Sequence, residues 1–201
     1  MHTDARDFLV GLIRQEARPV DKYGHQPRLE ALTEAVGAGL EYDRDVVQAA
    51  AWLHDLGVFA GNRPEDPQEL GRWDHVAYAC RRTPEILRRA SFPEVKIAAV
   101  LDAIRQHQPQ DDPLTIEATI LRDADILEQL GALGILRTVS KVGRDTRFPT
   151  FTDAIRMLRR NLEVLPEKIR LESTRHLAEA RIRVLREFLA AVDDESGGNL
   201  L

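Results

Sequence analysis

Residues 46–59 read VVQAAAWLHDLGVF, and the way His54 and Asp55 sit in that run decides the fold. Val46, Val47, Ala49, Ala50, Ala51, Trp52 and Leu53 cover nearly every side of a helix expected over 44–56. A helix that is apolar all round belongs in the middle of a protein rather than at its rim. Its last turn nevertheless carries an imidazole and a carboxylate, groups that are costly to bury unless they are paired or bound to a metal. At a helix C-terminus the last carbonyls lack partners and the macrodipole is negative. An imidazole nitrogen, a carboxylate and a negative helix end together suit a divalent cation. The competing reading is a capping histidine beside a solvated aspartate. Gly57 is expected to stop the helix in a left-handed conformation.

Outward from this run, the sequence reads as helices. Apolar residues recur at helical spacing over 4–17, 28–39, 93–107, 115–136, 151–163 and 166–192, and strict apolar/polar alternation is not evident. Prolines and glycines fall between these segments, including Pro19, Gly37, Pro93, Pro109 and Pro166. Ser91-Phe92-Pro93-Glu94 resembles a helix start, and Pro84 is expected to break or kink any helix that begins near His75. The expected fold is all-α, a single helical-bundle domain over residues 1–192. The polar, glycine-containing residues 193–201 are expected to form a flexible tail.

Composition narrows the function classes. Among 201 residues, hydrophobic ones make up 43% and charged ones 30%, an ordinary globular balance. The net charge of -5 gives no overall attraction for nucleic acid or anionic membranes. A single cysteine, Cys80, rules out an internal disulfide and fits a reducing compartment. The first residues, MHTDARDFLVGLIRQEARP, are interrupted by charges and lack the apolar core of a signal peptide. No stretch approaches the ~20 apolar residues that cross a bilayer. A cytoplasmic protein with no membrane partner and no nucleic-acid signature is expected, and its oligomeric state is open.

The other histidines strengthen the cation reading. His25 lies in KYGHQPRLEAL ahead of a helix, His75 in RWDHVAYAC, and His107 at the end of segment 93–107. His107 shares an apolar face with Val100 and Ile104. Farther on, Asp123 and Asp125 interrupt the otherwise apolar run ATILRDADILEQLGALGIL. Each of these residues alone could be a satisfied core histidine or an exposed aspartate. Imidazole and carboxylate together suit Fe, Mn, Co, Ni or Zn.

The arrangement resembles the HD-domain superfamily of metal-dependent phosphohydrolases. That family's pattern is a histidine, then His-Asp closing a buried helix, then an aspartate on a later helix. Here it is matched by His25 in HQPRL, His54-Asp55 in LHDLG and Asp125 in RDADILEQLG. VLDAIRQHQ around His107, RDADILEQLGALGILRT and KIRLESTRHLAEARIRVLREFL are similar to one branch of small HD hydrolases, so the resemblance spans most of the chain. It implies His25, His54, Asp55 and Asp125 as metal ligands. The ion implied is a divalent transition metal (Mn, Fe, Co or Ni, with Mg a further candidate). Asp123 and Asp125 lie about 200° apart around a helix, so both can hardly reach one ion. The choice of Asp125 comes from the resemblance alone.

His75 and His107 fit two plans. They complete a second metal site in dinuclear branches of the superfamily, or they contact phosphate and protonate the leaving group. One ion is favoured here over two, with Asp55, His107 and His75 as the catalytic residues. Arg28, one turn after His25, is the first candidate for substrate phosphate. RTVSKVGRDTRF (137–148) offers Arg137, Lys141, Arg144 and Arg147, or is simply a solvated loop. Val58 stands where many relatives carry lysine, and no GYP triplet follows, which counts against the cyclic-dinucleotide phosphodiesterase branch. The implied function is hydrolysis of a small phosphorylated metabolite, with nucleotides the leading class. The alternatives are a di-iron oxygenase and a non-catalytic binding module.

Overall fold

The computed structural model describes residues 1–199, and among them there are ten α-helices and no β-strand. The all-α expectation holds. The chain divides into two compact units, Met1–Arg122 and the remainder from Asp123 onward.

The first unit is assembled around the run that opened the sequence. Its helices are α1 (Thr3–Glu16), α2 (His25–Val36), α3 (Arg44–Leu53), α4 (Pro67–Gly71), α5 (His75–Arg89), α6 (Glu94–Arg105) and the first half of α7 (Ile116–Glu128). Asp43 caps α3, its side chain accepting the backbone N–H groups of Asp45 and Val46. All seven apolar residues from Val46 to Leu53 are buried, with α1, α2 and α6 packed around α3. Burying several aliphatic side chains and Trp52, each contributing about 1.5–3 kcal/mol, makes α3 the axis of this unit.

The second unit holds the end of α7, then α8 (Gly131–Val139), α9 (Phe151–Lys168) and α10 (Glu172–Ser196), with α8, α9 and α10 packed on one another. Thr150 and Asp153 form a reciprocal capping box that starts α9. The run expected as one helix over 115–136 is two helices. Gly131 takes φ +70°, and a Cβ there would sit 3.0 Å from the Arg181 side chain, so the chain turns where α10 comes close.

Expectations at Pro166, Gly57 and the C-terminal segment are corrected, and of the break or kink expected at Pro84 the break does not occur, since Pro84 lies inside α5. Proline in a helix interior costs about 3 kcal/mol, and the buried residues Ala79, Thr83, Ile86 and Leu87, on a helix packed against α6, offset that loss. Pro166 likewise falls within α9, and the break comes at 169–171, where Ile169 is extended. Gly57 is not left-handed: α3 ends at Leu53, and Gly57 sits in a 3-10 turn, Leu56–Val58. At the other end, α10 continues to Ser196, four residues into the segment read as a tail, and stops at Gly197 with φ +57°. Residues 200 and 201 of that segment lie outside the described residues. No helix among the described residues is long and apolar enough to cross a membrane.

Candidate metal centre

The end of α3 supplies two of the site's groups. His54 caps the helix, and Asp55 follows with φ -98° and ψ 12°, which turns its carboxylate off the helix axis. His54 Nδ1 lies 3.0 Å from the Ala51 carbonyl oxygen. A carbonyl only accepts, so Nδ1 carries the proton and Nε2 is left with its lone pair. His25 is the first residue of α2, and its Nε2 lies 3.3 Å from His54 Nε2. Asp55 stands between them, with one oxygen 3.7 Å from His25 Nε2 and the other 3.6 Å from His54 Nε2. Two nitrogens each about 2.1 Å from a shared ion, at tetrahedral or octahedral angles, lie about 3.0–3.4 Å apart. The His25–His54 pair has that spacing before any ion is added.

His107 follows α6 by two residues and is buried. Its Nδ1 lies 2.6 Å from the Ile104 carbonyl oxygen, so its proton too is fixed on Nδ1. Its ring stands edge-on to His54 at 4.8 Å and to His75 at 6.3 Å between centroids. His54, Asp55 and His107 can each offer a ligand atom with all three within 4.8 Å of one another. His75 begins α5, whose cap is Asp74 accepting the Ala77 N–H. The structure thus brings His25, His54, Asp55, His75 and His107 into one cluster within the first unit.

Charge in this cluster is one-sided around a single carboxylate. Burial by itself would raise the Asp55 carboxyl. The surrounding histidines His54, His25, His107 and His75 outweigh it and hold that carboxyl well below the usual carboxylate range. An ionised carboxylate among four imidazoles, of which His54 and His107 carry the proton on Nδ1, is a donor set for a borderline divalent ion.

Arg28 lies one turn along α2 from His25, with its guanidinium folded back over Gly24, where a Cβ would come within 2.9 Å of Nη1. The basic segment 137–148 is tied up locally. Arg137 pairs with the fully buried Glu128 at 3.2 Å, and Arg147 pairs with Asp145 at 2.7 Å. Lys141 and Arg147 both lie over the Phe148 ring.

The two late aspartates have different surroundings in the second unit. Asp123 is fully buried, and its carboxylate accepts the backbone N–H groups of Arg170 and Leu171. Asp125 is half-buried, with the Gln129 side-chain amide donating to it at 3.1 Å.

Several participants were not legible beforehand. A Cβ on Gly57 would lie 2.5 Å from the His75 carbonyl oxygen and 2.6 Å from its Cα, so only glycine lets α5 start against the turn after Asp55. The Trp73 indole N–H donates to the Gly57 carbonyl at 2.8 Å and fastens the same contact. Gln108 Nε2 lies 3.4 Å from His75 Nε2. The glycine after His-Asp was visible as a signal, although its role was misread. Trp73 and Gln108 carry no spacing that announces them.

Comparison with known proteins points to one family. The HD-domain family model matches residues 23–130, more than half of the chain, and its span includes all five clustered residues and Asp125. YpgQ of Bacillus subtilis superposes with a TM-score of 0.73 at 20% identity, over 98% of this chain and 99% of its own. A YpgQ structure in complex with ADP superposes with a TM-score of 0.70 at 20% identity, over 96% of each chain. An HD-superfamily hydrolase from Bacillus thuringiensis gives 0.70 at 20% identity, over 97% of each chain. No curated protein matches the sequence. HD domains bind divalent metals, and proteins of this superfamily are generally metal-dependent phosphohydrolases. With His54-Asp55 at the end of α3 and His25, His75, His107 and Asp125 in the matched span, the chain belongs to the HD-domain family.

Proposed function

We propose that the protein is a metal-dependent phosphohydrolase acting on a small phosphorylated metabolite of the nucleotide class. The observation that carries this reading is the 3.3 Å approach of His25 Nε2 to His54 Nε2, with the ionised Asp55 alongside. His25, His54 and Asp55 would hold the ion, and the family pattern adds Asp125 as the remaining carboxylate. One ion per chain is expected. When bound, such an ion lowers the pKa of a coordinated water and offsets charge on the phosphoryl group.

The chain's own residues do the rest. Asp55, kept ionised by its histidine neighbours, accepts the proton of the attacking water through its carboxylate oxygen. His107 and His75 face the phosphoryl group and the leaving oxygen, where an imidazolium N–H donates to phosphate or protonates the departing alkoxide. Arg28 supplies a fixed positive charge for phosphate oxygens. The nucleotide class is supported by YpgQ, a protein of the same fold crystallised with ADP.

The test is a hydrolysis screen of nucleoside mono-, di- and triphosphates beside sugar phosphates, with the protein loaded in turn with Mn, Fe, Co, Ni and Mg. Metal-dependent phosphate release from nucleotides supports the reading. Oxygen consumption by an iron-loaded protein without phosphate release would favour an oxygenase instead.

A further inference from the structure

Between the end of α6 and the start of α7 the chain passes through a turn that carries both His107 and Gln108. Part of its hold is internal. The Gln106 side-chain oxygen accepts the Leu114 N–H at 2.9 Å. Asp111 Oδ2 accepts the Gln108 N–H at 2.9 Å, and the Asp111 N–H donates back to the Gln108 carbonyl at 2.9 Å. The rest comes from α7. Arg122 is 2% exposed, and its Nε donates to the Gln108 carbonyl at 3.3 Å and its Nη2 to the Pro109 carbonyl at 2.7 Å.

A guanidinium stays charged in a protein, so its burial is costly without hydrogen-bond partners. Here two of its donors go to the carbonyls of the two residues that directly follow His107. We propose that Arg122 is a positioning residue for the candidate centre: its fork fixes the turn that presents His107 to His54 and Asp55, and Gln108 to His75. The inference rests on the reading of the histidine cluster as the reacting centre, and Arg122 acts on that centre through the turn.

Two features connect the clamp to the imidazoles. The His107 ring is held through Nδ1 to Ile104 at the end of α6, so its orientation depends on how the backbone leaves that helix. The Gln110 amide donates to Gln108 Oε1, and Gln108 Nε2 faces His75 Nε2 at 3.4 Å. A loosened turn would therefore disturb His107 directly and His75 through Gln108.

The experiment compares Arg122→Met, which removes every donor while keeping much of the volume, with Arg122→Lys and Gln108→Ala. Long-range ¹H–¹⁵N spectra of the metal-free protein read each histidine's tautomer without reference to activity. In Arg122→Met, His107 should lose its single Nδ1–H form and the His75 signals should shift, while His54 keeps its own. Gln108→Ala leaves the backbone clamp in place, so it should shift His75 and leave His107 unchanged. In metal-loaded protein, kcat of Arg122→Met should fall about 10- to 100-fold, the range for partners that orient ligating groups. KM should change less than about twofold, and Arg122→Lys should recover part of the loss.

If Arg122→Met does not fold, Arg122→Lys is read by the same spectra, with a smaller displacement of His107 expected. Unchanged His107 and His75 signals in either folded Arg122 variant overturn the proposal, as does loss of the His107 tautomer in Gln108→Ala. Displaced signals with no hydrolysis even by wild type would instead strike the phosphohydrolase reading and leave the positioning role standing.

Discussion

The carboxylate of Asp123 accepts the backbone N–H of Leu171 at 2.8 Å and that of Arg170 at 3.1 Å, just ahead of the first turn of α10. Donors near a helix N-terminus have no intrahelical partner, and a buried carboxylate is well suited to satisfy them. Asp123 is thereby committed to holding α10 in the second unit. Asp125, two residues on, accepts from the Gln129 side-chain amide instead.

The two aspartates should therefore separate in mutants. Asp123→Ala strips partners from buried N–H groups and should cost about 2 kcal/mol of stability, with metal content unchanged. Asp125→Ala should leave the melting temperature within a few degrees and lower the metal retained after dialysis. Elemental analysis beside thermal melts of both variants reads the difference. Metal loss in Asp123→Ala equal to that in Asp125→Ala would reassign the ligand.

Gly57→Ala should impair the centre without touching a ligand. The added Cβ would meet the His75 backbone at 2.5–2.6 Å, well inside contact distance, so α5 must move away from the turn after Asp55. Relieving that contact takes a shift of about 1 Å, and a misplacement of that size at a reacting centre costs about 100-fold in rate. We expect turnover to fall by that order and metal content to stay near wild type, since His25, His54 and Asp55 lie outside the displaced helix. Full activity in Gly57→Ala would show that His75 has no part in turnover.

A separate pH effect should appear at the Asp145–Arg147 pair of the second unit. The Arg147 side chain and backbone N–H groups donate to Asp145, and although burial opposes them they pull its carboxyl down from 3.8 to about 2. A carboxyl depressed in the folded state contributes stability that is fully present above pH 3.8 and lost as pH falls through about 2. Asp145→Asn lacks this contribution. Its deficit in melting temperature relative to wild type should be constant above about pH 4 and shrink toward pH 2. A deficit that stays the same down to pH 2 would show that the ion pair adds nothing.

Much of the centre was legible because its residues break a strong local pattern. His54 and Asp55 stand out against seven buried apolar residues, and His107 stands out on the face of Val100 and Ile104. Elements whose character depends on distant partners were not legible. Pro84 read as a break or a kink and Pro166 as a boundary between segments, but both lie inside helices. Gly57 read as a helix stop because the approach of His75, 18 residues on, leaves no local trace. Asp123 and Asp125 looked equivalent until Arg170 and Leu171, nearly 50 residues away, were seen to occupy one of them.

The central claim is that the histidine–aspartate cluster holds one ion and that hydrolysis depends on it. The most direct test titrates Mn into chelator-stripped protein and measures bound ion and phosphate release from a nucleotide on the same samples. Turnover should rise in proportion to bound Mn and level off at one ion per chain, and Asp55→Asn should stay inactive throughout. Phosphate release that is independent of bound metal, or a chain that fills its site and releases none from any nucleotide, would contradict the account.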